Sequence, residues 1–257
     1  MEKCWANKLN NCCETISREH LISDTILENI IRVKGLSWCK DKITTIGRKG
    51  LVSKILCKTH NSQLSTIDNE AGNFSNTLIQ FDRDFNKIKK YGFNIKNPPL
   101  TYSINGELLE KWFCKTLINF CLVNEKELVI DLNELIPFVF GDKKFQQPYG
   151  LYFATKPDQI VGGRESIFEF TPLTNDVSVN LREVAGGLFI LKGYYFVLLI
   201  PCSAEPNIKN GYSLNLPQTS YLDKWNTLQL YWHLKQLNQP IKRNNKNYLV
   251  QKINFNW

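Results

Sequence analysis

The stretch Lys54-Ile55-Leu56-Cys57-Lys58-Thr59-His60-Asn61 places a cysteine and a histidine three positions apart, with an asparagine directly after them. The short apolar run at 51–56 leads into Cys57, and a helix is expected to begin at His60. At this spacing, both side chains can reach one ion from a turn that enters a helix. The first sixty or so residues are therefore predicted to be organised around a metal.

A tetrahedral zinc needs two more ligands, and five of the eight cysteines lie in the first 57 residues. Cys4 is the first choice, and Cys13 is preferred as the second, although the spacing does not decide between Cys13 and Cys12. Cys39 is the alternative if Cys4 does not contribute. The competing interpretation is that these cysteines are buried free thiols. The preferred prediction is a structural zinc bound by Cys4, Cys13, Cys57 and His60.

His20, which follows Glu19, is not needed for that zinc and is a candidate general base. A neutral imidazole with a pKa of about 6.5 can take a proton from water near neutral pH. Asn61 would orient its ring, and Glu19 and Asp68 are the nearest carboxylates for a catalytic Mg or Mn ion. Each residue also has a structural interpretation. His20 would make a turn contact, Asn61 would cap a helix, and the carboxylates would be surface charges, which is the favoured interpretation for Asp68.

The order Cys4, Cys12-Cys13, Glu19-His20, then Cys57-x2-His60-Asn61, resembles the HNH nuclease superfamily, of the ββα-metal or treble-clef type with an extra zinc knuckle. The resemblance covers roughly residues 1–80. It implies that His20 is the general base, that Glu19 is the acidic residue beside it and that Asn61 is the central asparagine of the metal-binding helix. It also implies that Cys57 and His60 form the second half of the knuckle.

The sequence departs from the family pattern in three places. His60 replaces the usual second cysteine, which still allows zinc binding. The first knuckle, Cys4 with Cys12-Cys13, is not a C-x2-C pair. The helix carries Gln63-Leu64-Ser65 where the family has its final histidine or asparagine.

The predicted fold class is α+β. A zinc-bound, treble-clef, HNH-like module with a following helix would occupy residues 1–96, and Asn97-Pro98-Pro99 marks the boundary because two prolines cannot continue a helix. Residues 97–257 would form an α+β domain, with helices first and an antiparallel sheet after them, that recognises a target or a partner. Helices are predicted at 24–33, from 61 to about 88, at 108–122, 134–140 and 225–237. Strands are predicted at 150–154, 166–170, 188–191 and 194–200.

Two functions follow from these patterns. The first, which the resemblance implies, is a metal-dependent HNH-like endonuclease acting on DNA, in preference to RNA, in a bacterial or phage conflict system. The second is a non-catalytic zinc module that binds nucleic acid or a protein. A third reading, an enzyme site in the C-terminal region, has little support from the residues there.

Composition and charge indicate the class of partner and the cellular compartment to expect. The formal net charge of +8 suggests a polyanionic partner, and both ends of the chain are basic. No apolar run is long enough to span a bilayer, and the N-terminal residues lack the apolar core of a signal peptide. The expected location is the cytoplasm without membrane contact, where cysteines stay reduced.

Overall fold

The computed structural model describes residues 4–26, 30–34, 39, 42–47, 50–155, 167–174, 183–201 and 229–257. These residues form a mixed α+β fold. The helices are α1 (Lys58–Gln63), α2 (Ser65–Tyr91), α3 (Gly106–Val123) and α4 (Leu132–Phe140). The strands are β1 (Ile16–His20), β2 (Ile30–Lys34), β3 (Thr44–Gly47), β4 (Val52–Cys57), β5 (Leu100–Asn105), β6 (Glu127–Leu128), β7 (Gly150–Thr155), β8 (Ile167–Thr174), β9 (Glu183–Leu191), β10 (Tyr194–Leu199), β11 (Gln229–Trp232), β12 (Gln236–Arg243) and β13 (Lys246–Asn256).

The N-terminal part is a two-stranded ladder that runs into a helix. Strand β1 pairs antiparallel with β4, so that Ile16 faces Cys57 and His20 faces Val52. Helix α1 begins directly after Cys57, which caps it by accepting a hydrogen bond from the backbone N–H of His60. The predicted strand-to-helix turn at this point is confirmed.

Helix α2 runs unbroken through Gly72, where the sequence makes a continuous helix doubtful. The helix tolerates this glycine because it packs against Thr25. A Cβ atom at position 72 would lie 2.6 Å from the Thr25 Cβ atom.

Helix α3 is the centre of the molecule. It is buried on all sides from Trp112 to Cys121 and packs against α2, α4 and the large sheet. Asn105 caps it by accepting from the Leu108 backbone N–H. The predictions of this helix and of α4, which ends at Phe140 and has Gly141 as its C-cap, are confirmed.

The largest sheet has eight strands in the order β11-β7-β10-β9-β8-β2-β3, with β6 beside β9. Its C-terminal strands pair antiparallel as predicted, and Lys192-Gly193 joins β9 to β10. Strand β2 from the N-terminal part adds parallel to β8 and carries β3 with it. A separate three-stranded sheet has the order β12-β13-β5, in which β13 and β5 are parallel.

Two helix predictions are wrong where the structure describes them. Residues 24–26 form one 3-10 turn, and 30–34 form strand β2. The consecutive β-branched residues Ile30 and Ile31 fit a strand as well as a helix. The segment forms a strand because it pairs with β8. The helix predicted at 225–237 is also wrong, because 229–232 form β11 and 236–243 form β12. Residues 27–29 and 225–228 of the two predicted helices lie outside the described residues. None of the described helices is long and apolar enough to cross a membrane.

Candidate metal centre and the His20 region

Four potential metal ligands meet where the N-terminal segment lies against the start of α1. The ligand atoms of Cys4, Cys12, Cys57 and His60 all lie within 4.8 Å of one another. The Cys4 and Cys57 thiols each lie 3.3 Å from His60 Nδ1, and the Cys12 thiol lies 3.6 Å from it. A tetrahedral zinc with ordinary bond lengths would hold a sulfur and a nitrogen ligand about 3.6 Å apart. The spacing of the cluster therefore fits zinc.

Local geometry explains why these residues converge. Cys57 ends β4 and His60 lies in the first turn of α1, so the two donors project to the same side. The backbone N–H of Trp5 donates to the Ile55 carbonyl, which holds the N-terminal segment along β4. A 3-10 turn over 7–9 ends at Asn10, whose φ of 60° reverses the chain toward Cys12.

The His60 ring is held in the tautomer that a metal needs. Its Nε2–H donates to the Asn11 Oδ1 atom, which leaves the Nδ1 lone pair facing the three thiols. Burial lowers the pKa of His60, so the imidazole stays neutral near pH 7. Phe140, at the end of α4, covers the ring edge-on at a centroid distance of 5.5 Å.

The cluster opposes ionisation of the Cys12 thiol. Burial raises the pKa of Cys12 to about 12, and its contacts with Cys4 and Cys57 add to this rise. Three thiolates gathered this closely require a bound cation to compensate their charge. The donor set therefore matches a closed Cys3His metal site and has no position left for a substrate.

Cys12 occupies the position for which the sequence analysis prefers Cys13. The Cys13 thiol points out of the cluster, where it accepts from the Thr59 N–H at 3.4 Å and contacts the Thr15 carbonyl at 3.5 Å. The hydrogen bonds from Thr59 lower the pKa of Cys13 to about 7. Cys39 is buried elsewhere, with its thiol 4.0 Å from the Val33 carbonyl.

His20 lies apart from the metal cluster, at the end of β1. Its side chain is 31% exposed, and its Nε2 atom lies 3.5 Å from the Asp24 Oδ1 atom. Asp24, 45% exposed, is thus the carboxylate beside the candidate base. Glu19, the neighbouring acid predicted from the sequence, does not take this position, and Asp24 is not among the predicted site residues.

Glu19 points into the protein. It is 2% exposed, and its Oε1 atom lies 2.5 Å from the Lys115 ammonium and accepts from Asn119 at 3.3 Å. Burial raises the pKa of Glu19, and the Lys115 and Asn119 contacts oppose that rise. The carboxylate is therefore engaged with α3 and is not presented to a substrate or a metal.

Asp68 shares the same ammonium, at 2.9 Å from Lys115, and also accepts from the Ser23 hydroxyl. Its side chain is 22% exposed, so it is a partly buried member of an ionic network and not a free surface charge. The Trp112 indole N–H donates to the Ser23 hydroxyl at 2.7 Å and completes the network.

Asn61 ties α1 to β1. Its amide donates to the Ser17 hydroxyl at 2.9 Å and to the Arg18 carbonyl at 3.5 Å, three and two residues before His20. Cys57 takes the helix-capping role, so Asn61 neither caps α1 nor contacts the His20 ring. Its contacts fix the strand that carries His20.

Lys115 and Asn119 of α3 contact Glu19 and were not predicted from the sequence. They lie at i+3 and i+7 from Trp112, within the mainly apolar buried part of the helix. Asn119 also donates to the His20 carbonyl at 3.4 Å. A lysine in the middle of an apolar helix is the signal that would have found Lys115, because such a charge requires a buried partner.

The third histidine, His233, has a packing role. Its ring is stacked between Trp232 and Trp257 at centroid distances of 4.0 and 3.9 Å, and its Nε2 atom contacts Glu110 at 2.6 Å. Glu110 also accepts from the Leu151 N–H. These contacts anchor β7 and the C-terminal strand to α3.

The chain was compared with protein-family models, with curated proteins and with solved structures, and none matches it significantly.

Proposed function

We propose that Cys4, Cys12, Cys57 and His60 bind a structural zinc ion. The observation that carries this proposal is the convergence of three thiols on the Nδ1 atom of a histidine whose other ring nitrogen is held by Asn11. Four protein ligands in a buried cluster leave no open coordination position, which is typical of structural and not of catalytic zinc.

The order of elements supports a treble-clef, HNH-like module. The first knuckle precedes β1 and the β1–β4 ladder follows. The second pair of ligands lies at the end of β4 and in the first turn of α1. His20 ends the first strand of that ladder and Asn61 lies on the helix, in the order that the resemblance implies.

On this scaffold we propose hydrolysis of a nucleic acid phosphodiester bond, of DNA in preference to RNA, with His20 as the general base. The supporting observation is that the His20 imidazole is partly exposed and has the Asp24 carboxylate at one ring nitrogen. That carboxylate orients the ring and stabilises the imidazolium that forms when His20 removes a proton from water. The resulting hydroxide would then attack phosphorus, the P–O bond to the leaving sugar oxygen would break, and that oxygen would take up a proton from solvent.

Few carboxylates lie near His20 that could bind a catalytic Mg or Mn ion. Among the described residues, the Cys3His cluster is the one group of three or more candidate ligands. Glu19 and Asp68 contact Lys115, which leaves Asp24 as the carboxylate beside His20. Mg can be held by one carboxylate together with water and substrate phosphate, so the nuclease proposal rests on His20 and Asp24 and not on Glu19.

The second candidate is a non-catalytic zinc module that binds nucleic acid or a protein. It is favoured by the burial of Glu19 against Lys115 and by the bonds of Asn61 to β1, because both residues then serve the fold.

The test compares wild type with His20→Ala on plasmid DNA, single-stranded DNA and RNA, with added Mg or Mn and with none. Loss of a general base should slow cleavage by about 10²- to 10⁴-fold. Zinc content and thermal unfolding serve as controls and should not change. A folded, zinc-loaded His20→Ala protein that cuts as fast as wild type would overturn the mechanism. No cutting by wild type under any condition would favour the binding module.

A further inference from the structure

Two distant segments of the chain combine into one region that carries only positive charges. Residues 85–105 contain four lysines, residues 234–257 contain four lysines and one arginine, and neither segment has an aspartate or glutamate. The fold pairs them, because β5 and β13 are parallel neighbours and Phe93 contacts Tyr248 at a ring-centroid distance of 5.9 Å. We call residues 85–105 and 234–257 together the basic lobe.

The charges of the basic lobe face solvent. Seven of them are exposed and make no ion pair within the described residues: Lys89, Lys90, Lys96, Lys235, Lys242, Arg243 and Lys246. By contrast, Lys143 and Lys144, on the loop after α4, lie beside Glu134 and Glu107. The lobe is therefore a concentrated positive surface and not part of an even distribution of charge.

The hairpin between β12 and β13 projects three of these charges together. Arg243 faces Lys246 across the strand pair, and Asn244 and Asn245 form the two-residue turn with φ angles of 49° and 59°. Two consecutive residues of positive φ are typical of the tight turn that suits a twisted hairpin. The tip is thus built on a defined turn that holds like charges close together, which is unfavourable without an anionic partner.

The outward face of the three-stranded sheet adds hydrogen-bonding groups. Ile253 and Phe255 of β13 point inward and are buried, so the alternate residues Lys252 and Asn254 lie on the other face. Their register neighbours there are Thr101, Ser103, Gln236 and Asn238. Helix α2 packs against the opposite, buried face through Phe74 and Phe255, and Tyr91 at its end is 75% exposed.

We propose that the basic lobe binds the phosphate backbone of a nucleic acid, and that it holds the substrate whose hydrolysis is proposed for His20. The choice of nucleic acid among polyanions rests on that proposed function. The lobe's own composition supports it, since lysine, arginine, amide and hydroxyl side chains make most contacts to phosphate and sugar. An exposed tyrosine offers a surface on which a base can stack.

The experiment measures binding without cleavage. Full-length His20→Ala protein, with its zinc and without added Mg or Mn, is titrated into a fluorescent oligonucleotide of ~20 nucleotides, single-stranded or duplex, at salt concentrations from about 50 to 200 mM. The test variant is Lys242→Gln/Arg243→Gln/Lys246→Gln. The charge-matched control is Lys126→Gln/Lys143→Gln/Lys144→Gln, at positions that have acidic neighbours in sequence or space.

The hairpin variant should bind at least about tenfold more weakly at the lower salt concentration, and its slope of log affinity against log salt should fall by about 2 to 3. The control should change binding by less than about twofold. A second variant, Lys89→Gln/Lys90→Gln/Lys96→Gln, tests the other segment and should also weaken binding. It keeps the test valid if the hairpin variant does not fold.

Two results would overturn the proposal. One is that both lobe variants bind as tightly as the His20→Ala parent, or lose no more than the control does. The other is that the lobe variants lose binding to vesicles containing about 30% phosphatidylserine but keep their affinity for nucleic acid, which would assign the lobe to an anionic membrane.

The two proposals can fail separately. Lobe-dependent binding by a protein whose wild type does not cut would remove the nuclease function and leave the lobe assignment standing. Cleavage that depends on His20 but is unchanged by the lobe variants would support the nuclease function and remove the lobe assignment.

Discussion

Two adjacent cysteines differ in their role at the candidate metal centre. The Cys12 thiol lies in the ligand cluster, whereas the Cys13 thiol is turned toward Thr15 and Thr59. We expect Cys13→Ser to retain about one zinc per chain and Cys12→Ser to lose zinc during gel filtration, because a four-ligand site loses a thiolate only in the second case. Metal analysis of the eluted protein measures this. Zinc retained by Cys12→Ser and lost by Cys13→Ser would contradict the ligand set.

Asn11 tests whether the His60 tautomer matters. Its carbonyl oxygen accepts from the His60 Nε2–H. Asn11→Ala should lower zinc affinity by about 10- to 100-fold while one zinc still binds, because the ring is less well oriented. Competition with a chromophoric chelator measures the affinity. Asn10→Gly is the control, since glycine accepts the φ of 60° at that position and should leave the affinity unchanged. Equal affinities for wild type and Asn11→Ala would refute this role.

The Glu19–Lys115 pair is a buried ion pair. Lys115 is fully buried and contacts both Glu19 and Asp68. Lys115→Met should destabilise the protein by about 3 to 5 kcal/mol, because it leaves carboxylates without a counter-charge. Adding Glu19→Gln to that variant should cost less than Glu19→Gln costs in wild type. Chemical denaturation of the four proteins measures the coupling, and additive free energies of unfolding would show that the pair does not act as a unit.

At the scale of single residues, the sequence predicts which side chains belong to the candidate site better than it predicts which side chains they contact. Cys4, Cys57 and His60 can be selected because metal ligands have a local spacing. Cys12 and Cys13 cannot be separated, because the side on which each thiol projects depends on the turn at Asn10. Glu19 could not be recognised as a buried charge because its partner, Lys115, lies 96 positions away.

Among the elements, those with a long apolar repeat were predictable and short aromatic or β-branched segments were not. Helix α3 and the β9–β10 hairpin match the sequence pattern because their periodicity agrees with their environment. Strands β2 and β11 depend on neighbours far away in sequence, β8 and β7 respectively. Their local patterns fit a helix equally well, and only the assembled sheet decides.

The contact between α2 and β5 gives a prediction about pH. Burial would raise the pKa of Asp84, but hydrogen bonds from Gln80, Tyr102 and Lys87 outweigh it, and the pKa is lowered. The ionised carboxylate therefore stabilises the fold above the ordinary aspartate pKa of about 3.9, and this stabilisation is lost as the pH falls through the lower folded value. Tyr102→Phe removes one of these bonds, which measures 2.7 Å.

We expect Tyr102→Phe to lower the free energy of unfolding by about 1.5 to 3 kcal/mol at pH 7, as for other hydrogen bonds to charged groups. The difference from wild type should shrink as the carboxyl becomes protonated. Urea denaturation at several pH values measures both effects. Tyr248→Phe, on the neighbouring strand β13, is the control and should have little effect at any pH. A Tyr102→Phe penalty that does not vary with pH would contradict the role of Asp84.

At the level of the whole molecule, the candidate metal centre shares its core with most of the other elements that the structure describes. A single cluster of buried apolar side chains runs from Cys4 to Phe255. Helix α3 supplies Lys115 and Asn119 to the strand that carries His20, and Phe140 of α4 covers His60. Strands β2 and β3 leave the N-terminal part to join the large sheet. The position of the catalytic candidate is thus set by residues beyond the predicted boundary at 96/97.

The last prediction concerns that boundary. Residues 1–96 expressed alone with zinc should not fold, because β2 would lack β8 and Glu19 and Asp68 would lack Lys115. Amide NMR spectra should show little dispersion for this fragment, whereas co-expression with 97–257 should restore a dispersed spectrum and one bound zinc. A dispersed, zinc-dependent spectrum from 1–96 alone would show instead that the metal module is an independent domain. In that case α3 would dock onto a site that is already formed, and His20→Ala effects could be measured in the fragment itself.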